Sequence, residues 1–198
     1  MRMKSLCLVG LVAVMVVAMT GCAKPPQELQ TSVQSAMDEA KAAGAETYAP
    51  ESLNKAQETM GQAQAEIETQ NGKFALFRSY KKAEELLNQA RTEAETAKTD
   101  AAAGKERARQ EADAAINQAK TDLQTAMDAL SKAPRGKGTK AEIEAMQQEL
   151  TSLQQTLSEA EQGMQSEDYL GAKDKAAQVT QKAGEIANDI ANAAQKKR

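Results

Sequence analysis

Histidine and tryptophan are missing from this 198-residue chain, and cysteine (two), proline (four) and aromatic residues (3%) are scarce. Each absence removes a class of chemistry. Without His there is no ordinary acid/base triad and no imidazole metal ligand, and no cofactor-binding pattern stands in their place. Two cysteines allow neither a disulfide framework nor a cysteine-rich metal cluster. Charge is mixed, 25 basic against 28 acidic residues for a net −3, without the basic field that nucleic-acid binding needs. The Asp and Glu residues stand among Lys and Arg, which reads as solvated charge rather than paired-carboxylate catalysis, so the chain reads as a non-enzyme. Few large apolar side chains also means no thick globular core, because burial stabilises by only about 0.8 kcal/mol per CH₂ and Ala contributes little. What is present, Ala, Gln, Glu and Lys with few breakers, suits long helices packed at close range.

At the start, Arg2 and Lys4 precede an apolar run of fourteen residues, Leu6 to Met19. That is the layout of a signal peptide. The run ends in Met19-Thr20-Gly21-Cys22, which resembles the lipobox of bacterial lipoproteins, with Met19 where Leu or Val is commoner. The resemblance implies that residues 1–21 are a cleaved export signal and that Cys22 is the lipid-bearing first residue of the mature chain, with 22–27 as its tether. Several acyl chains anchor stably, whereas one binds membranes only marginally. An uncleaved membrane helix is the alternative, since Ser5 to Ala23 is uncharged for nineteen residues. Cys7 would leave with the signal. In lipoproteins of this kind an Asp after the Cys retains the protein at the inner membrane; Ala23 here implies the outer membrane, facing the periplasm. Loss of Arg2 and Lys4 takes the net charge from −3 to −5.

The mature chain repeats itself at an offset of about 90 residues. Val33 to Asp38, VQSAMD, returns as LQTAMD at Leu123 to Asp128. Leu53, Ala56, Met60, Ala63 and Ile67 return as Ile143, Met146, Leu150, Leu153 and Leu157. After a turn one residue shorter, Tyr80, Ala83, Leu87, Ala90, Ala94 and Ala97 return as Tyr169, Ala172, Ala176, Val179, Ala183 and Ile186. The 3-4 spacing of these positions is a helical seam, incompatible with strand alternation. The expected fold is all-α: an elongated bundle of two coiled-coil-like three-helix repeats, 28–103 and 118–198, joined by a helical connector at 104–117. Pro50 suits a first helical turn, Gly44 a helix C-terminus, and Asn71-Gly72 a helix end. In the second repeat Ala133-Pro134 closes one helix, Thr139 with Glu142 forms a capping box, and Ser166 ahead of Glu167 and Asp168 opens the last helix. From Ala83 to Leu130 the inward positions, Ala115 among them, keep a spacing of about 3.6 residues, so one helix of about 80 Å is shared by both repeats. Gly104 is its weak point, at roughly 1 kcal/mol relative to Ala.

The stretch GAETYAPESLNKA, Gly44 to Ala56, with Tyr80 and the ladder KKAEELLNQARTEAETAK, resembles an uncharacterised family of short Ala-rich bacterial envelope lipoproteins. Its members carry Gly-Ala-x-x-Tyr-Ala-Pro, a helical hairpin, and a Gly-x-Tyr-x-x-Ala turn into an Ala ladder. The resemblance covers residues 28 to 103. It departs at Phe74 to Ser79, which expands the turn, and in the second repeat, which keeps only the hairpin. Some members continue into an OmpA-type peptidoglycan-binding domain, absent here. The family has no established activity, so the resemblance implies fold and location alone.

Pro134 to Lys140, PRGKGTK, lacks the spacing and preceding strand of a phosphate loop. Lys132, Arg135, Lys137 and Lys140 could touch envelope phosphates, but a solvated interhelical loop is the simpler account. Phe74, Leu76 and Phe77 could be a partner or membrane contact, but a plug closing the end of the bundle is the simpler expectation. Tyr80 and Tyr169 read as packing residues at helix starts, and Lys196, Lys197 and Arg198 as helix-end charge. The sequence therefore points to a lipid-anchored spacer or scaffold of the envelope. A helical binding module for an envelope partner or the cell wall is the alternative, and oligomeric state is left open because helical seams close within or between chains.

Overall fold

The computed structural model describes residues 24–133 and 140–195. Among them are six α-helices and no strand: α1 (Gln27–Ala42), α2 (Ala45–Tyr48), α3 (Pro50–Asn71), α4 (Lys81–Lys132), α5 (Lys140–Gln165) and α6 (Tyr169–Gln195), with a 3₁₀ turn at Ala75–Phe77. The expected all-α bundle is therefore present. The long α4 runs unbroken through Gly104 for 52 residues. The chain divides within it into two compact units, Met1–Gly104 and Lys105–Arg198. Residues 104–117 are α4 itself, with Ala108, Ala112 and Ile116 buried.

Local chemistry explains the helix ends in the first unit. Pro26 precedes α1, whose Glu28 and Lys41 complement the helix dipole at its two ends. Gly44 follows α1 in the left-handed region at φ 88°, where a Cβ is disfavoured, and its N–H donates to the Lys41 carbonyl at 2.8 Å. Pro50 occupies the first turn of α3 as expected. Gly72 ends α3 without a left-handed turn, at φ −70°.

The first unit buries two adjoining clusters. Val33 and Met37 of α1, Met60, Ala63 and Ile67 of α3, and Tyr80, Ala83, Leu87, Ala90 and Ala94 form one. Ala40, Ala45, Ala49, Leu53, Ala97 and Ala101 form the other. Most of these contacts are Ala, so backbones approach closely and little apolar volume is available per residue. In the second unit Leu150, Leu153 and Leu157 of α5 and Tyr169, Ala172, Ala176, Val179, Ala183 and Ile186 of α6 are buried. Tyr80 stands immediately before α4 and Tyr169 opens α6, the equivalent places that the repeat requires. One inward position differs: Ile116 is buried, whereas Ala115 is only half-buried. Rotating the larger side chain inward removes more apolar surface from water.

The α5–α6 turn corrects one capping expectation. Ser166 does not open α6; its hydroxyl donates back to the Gly163 carbonyl at 3.2 Å. Asp168 is the cap, its Oδ1 accepting from the Gly171 N–H at 3.1 Å. The reversal is made by Glu167 at φ 62°, with Asp168 N–H donating to Gly163 O at 2.8 Å and Glu167 N–H to Met164 O at 3.4 Å. A non-glycine residue in this conformation costs about 1 kcal/mol or more. Glu167→Gly is accordingly expected to unfold with about 1 kcal/mol more stability than Glu167→Ala, both lacking the exposed pair with Lys105. Urea melts of the two variants measure the difference, and equal midpoints would remove the strain argument. Thr139 and Pro134 lie outside the described residues.

Candidate functional site

The most constructed surface feature is the turn between α3 and α4. Its backbone groups are satisfied from all sides. The Arg78 guanidinium donates from Nη2 to the Asn71 carbonyl and from Nε to the Lys73 carbonyl, both at 2.9 Å, closing the C-terminus of α3. The buried Gln70 donates to Glu66 Oε1 at 2.7 Å and accepts from the Ser79 N–H at 3.1 Å. Tyr80 donates its phenol proton to Asn71 Oδ1 at 2.6 Å. Glu66 is held below the usual carboxylate range by its hydrogen bonds from Gln70 and Lys82.

On this framework the 3₁₀ turn presents Phe74, Leu76 and Phe77 at 70, 72 and 75% exposure. The expected plug is therefore not what these residues form. Ile67 and Tyr80, both buried, already fill the end of the cluster. The two phenyl rings lean on each other with centroids 6.4 Å apart. Lys73, Arg78, Lys81 and Lys82 flank them in the sequence, with no acid between Glu68 and Glu84, and Lys82 pairs with Glu66 at 3.3 Å.

A second feature explains the Gly-Ala-x-x-Tyr-Ala-Pro stretch. Ala45 and Ala49 are buried, and α2 between them brings the Tyr48 backbone against α4 at Gly104. A Cβ on Gly104 would lie 2.5 Å from the Tyr48 carbonyl oxygen and 3.1 Å from its Cβ. Gly104 is thus the seat of the motif. Its signal in the sequence was the glycine itself, inside an otherwise Ala-rich ladder.

Charged groups contribute mainly at the surface. Lys98 reaches Glu39 at 2.8 Å within the first unit, and Lys120–Glu161, Lys173–Glu111 and Lys175–Glu159 join helices of the second. Such exposed pairs add little to stability, because solvent screens them. Hydrogen bonds from Arg109 and Gln110 lower Glu106 to about 2, so whatever that group adds to stability is present above the ordinary carboxylate range and is lost as pH falls through about 2. Glu93 is the covered exception, with its side chain 11% exposed and Oε2 buried without a hydrogen-bond partner. Burial pushes this carboxyl up, but the Thr59 hydroxyl, Gln89 and the Lys55 ammonium prevail and hold it below the usual range.

The second unit carries an open groove of about 320 Å³ lined by Leu123, Met127, Gln154 and Leu157, with Lys120 and Glu161 at its rim. Tyr80 and Tyr169 are buried, as expected of packing residues. Lys132 is exposed and Lys140 faces Glu144 at 3.7 Å; Arg135 and Lys137 lie outside the described residues, as do Cys22 and Lys196 to Arg198. Among the described residues no group of three or more His, Cys, Asp or Glu is placed to hold a metal ion, and no helix is long and apolar enough to cross a membrane. No curated protein and no solved structure matches the chain. Residues 28–113 are similar to a family described as a domain of unknown function, DUF4398, a stretch that contains both the Tyr48 corner and its Gly104 seat.

Proposed function

We propose that this protein is a non-enzymatic lipoprotein of the bacterial cell envelope, anchored through Cys22 to the outer membrane, facing the periplasm and acting there as a spacer or scaffold. The observation that carries the reading is Met19-Thr20-Gly21-Cys22 at the end of an apolar run, a few residues ahead of Gln27, where α1 begins. Two helical units with Ala-lined seams suit a structural part.

The test is Cys22→Ser. It is expected to abolish incorporation of labelled fatty acid and to leave a precursor that retains residues 1–21, because acylation precedes cleavage. Label persisting on the variant would overturn the assignment.

A second reading, a binding module for an envelope partner, is favoured by the groove at Met127 and Leu157. An unbranched thioether there adapts to varied apolar shapes. A photo-crosslinker at Ser158, in that groove, separates the two readings in intact cells. One defined adduct favours the binding module, and its absence favours the spacer.

A further inference from the structure

The α3–α4 turn has three properties that together identify its occupant. First, it is apolar and convex: Phe74, Leu76 and Phe77 stand out from the end of the first unit at 70–75% exposure. A projecting tip enters a soft medium and offers no groove for a partner's side chain. Second, it is flanked by cations. Lys73, Arg78 and Lys81 fall in a stretch of sequence without acids, while Lys82 beside them is paired with Glu66 at 3.3 Å, in a chain whose net charge is −3. The two carbonyl bonds of Arg78 use part of its five N–H donors and none of its charge. Apolar and aromatic side chains below a basic rim match the boundary between acyl chains and anionic headgroups.

Third, the turn lies at the end of the unit where the chain enters. The last part of α1 packs with Leu53, Ala97 and Ala101 through Ala40, at the corner formed by α2. Its early residues, Leu29 and Val33, pack instead in the cluster of Ile67, Tyr80 and Ala83. Gln27 therefore opens α1 on the side of the turn, and a five-residue tether from residue 22 reaches at most about 18 Å. A membrane holding the N-terminus would lie beside Phe74 and Phe77.

We propose that this turn is an interfacial membrane contact, in which Phe74, Leu76 and Phe77 enter the headgroup–acyl boundary of an anionic bilayer and Lys73, Arg78 and Lys81 meet lipid phosphates. The hydrogen-bonded framework below the tip fixes its shape in advance, so little ordering accompanies insertion. The apolar tip and basic rim carry the proposal; the lipid-anchor reading adds proximity.

Because the chain has no Trp, one substitution makes a local reporter. Full chains carrying Leu76→Trp, or Glu51→Trp at the opposite end of α3 as control, are reconstituted with phosphatidylethanolamine/phosphatidylglycerol vesicles. The reporter at position 76 is expected to shift its emission to the blue and to be quenched by brominated acyl chains; the one at position 51 is expected to do neither. Each of Lys73→Gln and Lys81→Gln is expected to reduce the quenched fraction by weakening binding about fivefold, an effect absent in pure phosphatidylcholine. A water-exposed, unquenched reporter at position 76 would overturn the proposal. So would a blue shift that needs no vesicles and rises with protein concentration, which would assign the tip to a second copy of the chain. Circular dichroism confirms that each variant keeps its helices. Quenching at position 76 without fatty-acid label on Cys22 would sink the lipid-anchor reading alone, whereas label with a water-exposed position 76 would sink only the contact.

Discussion

Gly104→Ala is expected to destabilise the first unit by about 2 kcal/mol, although Ala is the better helix former. The opposing terms are separable. Propensity favours Ala by about 1 kcal/mol at an interior helical position. Against this, the added Cβ would sit 2.5 Å from the Tyr48 carbonyl oxygen and 3.1 Å from the Tyr48 Cβ. Neither is the far end of a flexible side chain, so α2 must move off α4, at the upper end of the 1–3 kcal/mol typical of overpacking, about 3. Gly61 and Gly184 are the controls, because a Cβ at either meets nothing within 4 Å. Gly61→Ala and Gly184→Ala are each expected to gain about 0.5–1 kcal/mol. Urea unfolding with unchanged slopes compares the three. A Gly104→Ala chain that gains as much as the controls would show that the Tyr48 backbone does not rest on α4.

This position also marks where the sequence stopped being legible. Helix identity, the hairpins, Pro50 and Gly44 followed from local rules, and the unbroken α4 followed from the phase of its apolar stripe. Those features depend on residues a few positions apart. The seat of Tyr48 on Gly104 joins residues far apart in the chain, and a glycine in a helix announces only the absence of a side chain. The stripe likewise fixed a face without choosing between Ala115 and Ile116, neighbours that differ in how much burial each repays. The reversal at Glu167 had no sequence signature, because Glu has no preference for positive φ. Phe74 and Phe77 were recognisable as a cluster, but whether they plug or protrude depended on what else filled the bundle end, and Ile67 with Tyr80 had already filled it. Their exposure and the basic rim are what turned a packing expectation into a candidate surface.

Leu87→Ala is expected to be the most damaging single truncation in the first unit, at about 2–5 kcal/mol. Leu87 heads the fully buried large side chains, and its neighbours in the stripe, Ala83, Ala90 and Ala94, are too small to close over the space. The repeat suggests how that loss could be offset. In the second unit the equivalent position holds Ala176, and the register set by Lys175–Glu159 and by Gly163 against Ala172 brings Leu157 of the facing helix opposite it, both buried. The two units thus place one bulky side chain per layer, on α4 in the first and on α5 in the second. Ala63→Leu alone should overpack its layer by about 1–3 kcal/mol. Combined with Leu87→Ala, the new side chain enters the space the old one left, and the double variant should be more stable than Leu87→Ala alone. Residues in contact couple by about 0.5–3 kcal/mol, which a double-mutant cycle on thermal or urea unfolding resolves. A coupling of zero would mean that positions 63 and 87 do not share a layer, and that the correspondence between the units reflects composition rather than packing.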